Sequence, residues 1–174
     1  MGTGVMPENE FYDLADSLAN SFEHHEIRFH LVPNQFIRFH SDISLEWREV
    51  AFARDNISDV PDGRGVYAFA VGINGGGLPP HGYVMYVGQA GDGESSLRQR
   101  FKSYFQEQKR PKRRGIHRML NKWTNVLSFV FAEIEDHSVK LKDIERKLND
   151  ALLPPYSRND FSAEVRDAIN AFEN

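Results

Sequence analysis

The pattern of apolar side chains is most regular after residue 64, where short strand-like runs alternate with helical ones. Three runs rich in Val, Phe and Tyr predict strands: residues 66–71, 83–87 and 126–134. Apolar residues recur at helical spacing in four further runs: residues 97–108, 116–123, 139–153 and 162–172. This order predicts an α/β (α+β) fold, in which helices flank a small mixed, mainly antiparallel, three-stranded central sheet.

The acidic N-terminal part of the chain is predicted to add a helix and a β-hairpin to this core. Apolar residues at helical spacing predict a helix over residues 8–25. Residues 27–33 and 35–40 alternate apolar and polar side chains on either side of a turn signal at Pro33, which predicts two paired strands. Residues 45–54 are a further candidate strand.

Glycine and proline mark the boundaries between these elements. Residues 72–82 predict a long loop between the first two core strands, and two prolines after residue 153 end the helix before them. The predicted units are an acidic extension, a core and a C-terminal helix: residues 1–63, 64–160 and 161–174.

The composition suits a folded domain without disulfides. Hydrophobic residues make up 40% of the 174 positions, and there are 13 phenylalanines, which is enough to build a core. The absence of cysteine excludes structural disulfides and thiolate metal sites. No apolar run approaches the ~18 residues of a membrane helix, and the first residues lack the features of a signal peptide. We therefore expect no membrane partner and a cytoplasmic location.

Positive charge is concentrated in residues 98–122, which we call the basic segment. This segment has ten Lys or Arg and one acidic residue, Glu107, although the whole chain carries a net charge of −4. A positive surface on an acidic protein attracts a polyanion, which indicates a nucleic-acid partner; a solvated helix–loop–helix surface is the alternative. The residues expected to contact the nucleic-acid backbone are Arg98, Lys102, Lys109, Arg110, Lys112, Arg113, Arg114, Arg118 and Lys122.

Arg100 and Tyr104 lie on the same side of the predicted helix of residues 97–108, at the border of its apolar face. Arg98 falls on the opposite border. A guanidinium held beside a tyrosine can bind a phosphate through two hydrogen bonds. The alternative is an arginine whose stem only covers apolar surface.

Glu145 lies at the edge of the apolar stripe of the predicted helix of residues 139–153, whereas Asp143 and Asp150 point away from that stripe. A partly shielded carboxylate can hold a hard divalent cation that keeps several water ligands. An ordinary surface glutamate is the alternative reading of this position.

Tyr67 and Tyr86 lie in neighbouring predicted strands, each close to a glycine. Tyrosine is common in strands, so packing is its default role. In a catalytic site these phenols could position or deprotonate a water, but a group with a pKa of about 10 is a poor base at neutral pH. A nearby cation such as Arg100 would be needed to lower that pKa.

Together these residues resemble the GIY-YIG nuclease family. The chain has Gly-Val-Tyr at residues 65–67 and Tyr-Val-Gly at residues 86–88, and residues 86–105 are similar to the N-terminal nuclease domain of bacterial excision-repair nucleases. Glu145 matches the metal-binding glutamate of the family, and Asn159 matches its C-terminal asparagine. The predicted order of strands and helices also fits.

The resemblance implies a metal-dependent endonuclease that hydrolyses nucleic-acid phosphodiester bonds, DNA in preference to RNA, one strand per active site. Glu145 would hold one Mg²⁺ or Mn²⁺, and Arg100 would stabilise charge on the phosphate. The two motif tyrosines would position and activate water, with either one as the base, and Tyr104 would support this network. Asn159 would order the site. The implied catalytic residues are Tyr67, Tyr86, Arg100, Tyr104, Glu145 and Asn159.

Two other functions are compatible with the sequence. One is a catalytically inactive module of the same fold that binds nucleic acid or regulates a partner. The other is an interaction domain in which residues 1–63 contact a partner protein or a second copy of the chain. Those residues include 12 acidic residues and four arginines, a charge balance that disfavours wrapping around DNA.

Overall fold

In the part of the chain that the structure describes, one antiparallel sheet has helices on both faces. The computed structural model describes residues 17, 27–37, 39, 41, 43–73, 81–91, 93, 95–110 and 112–173. The strands are β1 (Arg48–Ala51), β2 (Gly65–Ile73), β3 (His81–Ala90) and β4 (Leu127–Glu133). The helices are α1 (Pro33–Ile37), α2 (Leu97–Lys109), α3 (Arg114–Lys122), α4 (Leu141–Leu152) and α5 (Ala163–Glu173), and two 3₁₀ turns lie at Arg54–Asp59 and Arg158–Asp160.

The order of strands in the sheet is β1-β4-β2-β3, and every neighbouring pair is antiparallel. The α+β class is therefore confirmed, but the sheet has four strands where three were predicted. The additional strand is β1, which lies within the candidate strand at residues 45–54 and pairs with β4, Val50 opposite Phe129. Because β1 has only four residues and is mostly exposed, its hydrophobic pattern does not show which sheet it joins.

The predicted β-hairpin of residues 27–40 is wrong. Residues 27–32 have no regular secondary structure, and α1 begins at Pro33. Proline is well tolerated at the first position of a helix, because the N–H that it lacks has no helical partner there. The predicted helix over residues 8–25 lies outside the described residues, apart from Ser17.

Strands β2 and β3 are longer than the sequence pattern predicts. Gly72 pairs with Gly82, and Ile73 pairs with His81, so both ends of the predicted loop of residues 72–82 belong to the hairpin. Residues 74–80 lie outside the described residues.

Each face of the sheet has its own apolar core. On the first face, Phe69 and Phe129 pack with Phe101 of α2 and with residues of α3. On the second face, Val66 and its neighbours pack with Leu148 and other residues of α4. We call these the α2 face and the α4 face. Side chains alternate between the two faces along each strand, so a motif of three strand residues contributes to both cores.

Local interactions fix where α2 begins and where α4 ends, and these two helices carry candidate residues. The Ser96 hydroxyl accepts a hydrogen bond from the N–H of Gln99, and the Gln99 side chain accepts one from the N–H of Ser96, which starts α2 at Leu97. Helix α4 ends where Leu153 adopts a left-handed conformation with φ of 49°, and Pro154 follows.

Residues 154–157, which we call the edge segment, run along the outer edge of β3. The N–H of Tyr156 donates to the carbonyl oxygen of Met85 at 3.0 Å, and the N–H of Val87 donates to Ser157 Oγ at 3.1 Å. Tyr156 also packs against the core of the α2 face. The edge segment therefore carries the chain from the α4 face around β3 to the α2 face.

Candidate active site

Three tyrosines meet on the α2 face, and we call them the tyrosine cluster: Tyr67, Tyr86 and Tyr104. Their ring centroids lie 6.0–6.4 Å apart, and the hydroxyls of Tyr67 and Tyr104 are 2.8 Å apart in a hydrogen bond. All three side chains are buried. The structure thus brings together the two motif tyrosines and the helix tyrosine that the sequence singled out.

The glycine of the second motif makes room for the tyrosine of the first. Gly88 pairs with Tyr67 across β2 and β3, and a Cβ at Gly88 would lie 2.5 Å from the Tyr67 hydroxyl oxygen. A Cβ at Gly65 would overlap the carbonyl oxygen of Ala132. Both motif glycines are therefore required by close packing, which is a structural role independent of any chemistry.

Burial controls the ionisation of the tyrosine cluster. It raises the pKa of each phenol well above the ordinary value, and the nearby charges of Arg100 and Arg113 lower the pKa of Tyr67 by less than burial raises it. The condition for a tyrosine base, a neighbouring cation that brings the phenol pKa below its ordinary value, is not met in this structure. A phenol with the ordinary pKa is already protonated at neutral pH, and burial holds these hydroxyls further from ionisation, so they can donate and orient hydrogen bonds.

Arg100 lies half-buried on α2 beside the tyrosine cluster, close enough to lower the pKa of Tyr67. Its Nε is buried and has no hydrogen-bond partner among the described residues. Buried donors normally have a partner, and an arginine without one is suited to an anionic ligand. This observation supports the predicted phosphate-binding role.

Arg113 is held in place, unlike a free surface cation. Its Nε and Nη2 donate to the two carboxylate oxygens of Glu107 at 3.0 and 2.7 Å, and its Nη1 donates to the hydroxyl of Tyr86 at 3.3 Å. Its guanidinium lies 5.5 Å from the ring centre of Tyr104 and 5.8 Å from that of Tyr86. The sequence offers one signal for this arrangement: Glu107 is the only acid in the basic segment.

Glu145 lies half-buried on α4, and the apolar residues of that helix pack against the opposite face of the sheet from the tyrosine cluster. The sequence-based position at the edge of the helix stripe agrees with this half-burial. No group of three or more His, Cys, Asp or Glu residues that could hold a metal ion occurs among the described residues. One half-buried carboxylate fits an ion whose other ligands are water and phosphate oxygens.

Two residues after α4, Ser157 and Asp160, interact with β3 or with the tyrosine cluster although the sequence pattern does not distinguish them. Asn159 is exposed on the Arg158–Asp160 turn, whereas Ser157 is buried and binds Val87 of the second motif. The charge of Asp160 acts on both Tyr86 and Arg113. No sequence pattern distinguishes Ser157 or Asp160, because their positions depend on the edge segment passing around β3.

The expected nucleic-acid contacts differ in exposure. Arg98 is half-buried and its Nε donates to the carbonyl oxygen of Val60 at 2.7 Å, so it anchors α2 to the preceding loop. Lys122 is also half-buried and lies 5.6 Å from the ring of Trp123. The exposed members of the predicted set are Lys102, Lys109, Arg110, Lys112, Arg113, Arg114 and Arg118.

Comparisons with protein-family models, curated proteins and solved structures found no match to this chain. Within the part of the chain that the structure describes, no helix is both long and apolar enough to span a bilayer.

Proposed function

We propose that this protein is a metal-dependent endonuclease that hydrolyses phosphodiester bonds of nucleic acid, DNA in preference to RNA. One observation carries the proposal. Two guanidinium groups, those of Arg100 and Arg113, lie beside three buried tyrosine hydroxyls on one face of the sheet, next to an exposed basic surface. Such a set of fixed donors is complementary to a phosphate group.

In this proposal each residue has a distinct task. Arg100 donates to phosphate oxygens through the guanidinium that has a buried, unpartnered Nε. The tyrosine cluster orients the phosphate and a nearby water by donating hydrogen bonds, because its phenols are protonated at neutral pH and burial raises their pKa further. Glu145 would hold one Mg²⁺ or Mn²⁺, which when bound neutralises charge on the phosphate. Asn159, which is exposed on the Arg158–Asp160 turn, would order the site.

The exposed basic residues of α2, α3 and the loop between them would hold the nucleic-acid backbone. This contact gives affinity that falls with salt and carries little sequence information. One site cuts one strand, so cleavage of both strands requires either a dimer or two successive events. We propose a cytoplasmic location because the chain has no cysteine. We also propose that residues 1–63 contact a partner protein or a second copy of the chain.

A plasmid assay tests the proposal. The protein is incubated with supercoiled plasmid, single-stranded DNA and RNA in Mg²⁺, Mn²⁺ or EDTA. We expect nicked plasmid with either metal and no product in EDTA. The Glu145→Gln variant should lose cleavage and keep DNA binding. The control is Asp143→Asn on the same helix, whose carboxylate pairs with Arg146 at 3.1 Å, and it should cut normally.

A catalytically inactive nucleic-acid-binding or regulatory module is the second candidate. It is favoured by the position of Glu145 on the helix of the opposite face from the tyrosine cluster. Binding of DNA without a metal-dependent product on any substrate would support this candidate. Undiminished cleavage by Glu145→Gln would instead keep the nuclease and remove Glu145 as its metal ligand.

A further inference from the structure

We propose that Arg113 is a second phosphate-binding residue of the cleavage site and that Glu107 is a positioning residue that fixes the orientation of the Arg113 guanidinium. This inference rests on the proposed function and deepens it. On sequence alone, Arg113 is one of several basic residues expected to hold the backbone loosely. Its contacts in the structure separate it from that group.

Glu107 immobilises the guanidinium of Arg113. Two parallel hydrogen bonds join the carboxylate to Nε and Nη2 of Arg113, and Glu107 Oε1 also accepts from the backbone N–H of Arg113 at 3.0 Å. Glu107 is itself buried, with 8% of its surface exposed. A bidentate pair with a buried carboxylate fixes the plane of the guanidinium, whereas a free surface arginine samples many rotamers.

The contact with Arg113 also restricts the direction of the Tyr86 hydroxyl hydrogen. Arginine can only donate, so in the contact of 3.3 Å the Tyr86 hydroxyl is the acceptor. The hydrogen of Tyr86 must then point to another acceptor. A phenol is protonated at neutral pH, and burial raises the pKa of Tyr86 further. Arg113 therefore leaves Tyr86 as a donor for a ligand oxygen.

The guanidinium of Arg113 is accessible to a ligand. The side chain of Arg113 remains 44% exposed although Glu107 is buried, so an incoming phosphate can reach it. Hydrogen bonds to Glu107 and Tyr86 use three of its five N–H hydrogens, and a further hydrogen bond to Tyr104 leaves one for a ligand. The guanidinium can therefore keep its contacts with Glu107 and Tyr86 while it donates to a phosphate oxygen.

Glu107 and Arg113 also close the turn between α2 and α3, which is a purely structural role. The test must therefore separate chemistry from stability. Arg113→Lys keeps the charge and loses the planar fork, and Arg113→Gln removes the charge. Arg54 provides the matched control, because it is an exposed arginine that lies 4.9 Å from an aromatic ring, that of Phe105, outside the proposed site.

With plasmid as substrate, we expect Arg113→Lys to lower kcat by about 10²-fold, the effect of removing one fixed donor from an anion site, with a much smaller change in KM. Glu107→Gln should lower kcat by about 10-fold with the same KM, because Arg113 keeps its charge but is no longer held in a fixed orientation. Arg54→Lys should cut normally. If Arg113→Lys lowers the melting temperature but keeps kcat, the residue is structural and the proposal is overturned.

A phosphate-binding measurement keeps this test separate from the proposed nuclease activity. Inorganic phosphate should raise the melting temperature of the wild-type protein and of Arg54→Gln, and it should not raise that of Arg113→Gln. If no substrate is cut but this pattern holds, the nuclease proposal fails while the phosphate site at Arg113 stands. If phosphate stabilises all three proteins equally, or none of them, Arg113 is not a phosphate-binding residue.

Discussion

Replacing Gly88 by alanine tests the packing of the candidate site, because the added methyl group would overlap the hydroxyl end of the Tyr67 ring. The new Cβ would lie 2.5 Å from the hydroxyl oxygen of Tyr67, 2.6 Å from Cζ and 3.0 Å from Cε2. Favourable carbon contacts occur at about 3.5–4.0 Å, so the ring would have to move by about 1 Å. Tyr67 is 1% exposed and stacks on Phe129 with ring centres 5.0 Å apart, which leaves little room for that movement.

The size of the effect follows from these contacts. Forcing an extra methyl group into a close-packed core costs about 1–3 kcal/mol. Moving the Tyr67 hydroxyl also breaks its hydrogen bond of 2.8 Å with Tyr104, which costs about another 1 kcal/mol. The sum of about 2–4 kcal/mol corresponds to a melting temperature lower by about 4–16 °C in a domain of this size.

Calorimetry and urea unfolding would measure this loss, with Gly72→Ala as the control. Gly72 lies in the same hairpin, and a Cβ there would meet no atom within 4 Å. We expect its stability to change by less than about 0.5 kcal/mol, as for other open positions. A Gly88→Ala protein that melts within about 2 °C of the control would show that Tyr67 is not held in this position.

Three further predictions concern ionisation, the edge segment and the basic surface. Burial raises the pKa of all three phenols of the tyrosine cluster, so the native state keeps protons that the unfolded chain loses near pH 10. The free energy of unfolding should therefore fall above that pH, by up to about 4 kcal/mol per pH unit. Urea unfolding at about pH 9.5 and about pH 10.5 measures this fall, and equal stabilities at the two pH values would contradict the prediction. Ser157→Ala leaves the N–H of Val87 without its acceptor, which should cost about 1–3 kcal/mol in thermal unfolding, whereas an unchanged melting temperature would mean that the edge segment is not anchored there. If the protein binds DNA as proposed, Arg110→Gln with Arg114→Gln should reduce the salt slope of duplex binding by about two; anisotropy titrations at several NaCl concentrations measure that slope, and an unchanged slope would exclude these residues as phosphate contacts.

Most of the core could be predicted because its strands and helices have strong periodic patterns. Helix α2 combines a capping box with apolar residues at helical spacing, and β2 is a nearly continuous apolar run. The errors occur where the pattern is weak. Strand β1 has four residues and little burial, and Pro33, where the sequence pattern predicts a turn, is the first residue of α1.

The candidate site was predictable to the extent that it depends on local spacing. Helical spacing places Arg100 beside Tyr104, and two strand motifs predict that Tyr67 and Tyr86 are neighbours. The pair of Glu107 and Arg113 depends on a loop that folds back over six residues, so sequence spacing alone does not predict it. The positions around Asn159 depend in turn on the path of the edge segment.

The geometry of the α2 face restricts what it can contribute to catalysis. Its groups are guanidinium and protonated phenol donors, namely those of Arg100, Arg113 and the tyrosine cluster. The carboxylate of Glu107 is already bound to Arg113. These donors stabilise negative charge as it develops on a phosphate, and the protonated phenols are not themselves ready to accept a proton at neutral pH. If the nuclease proposal holds, Tyr→Phe variants of the cluster should therefore lower kcat without shifting the pH at which the rate is half-maximal. A shift of that midpoint in one of these variants would identify its tyrosine as the base, and would mean that nucleic acid or metal overcomes the burial seen in this structure.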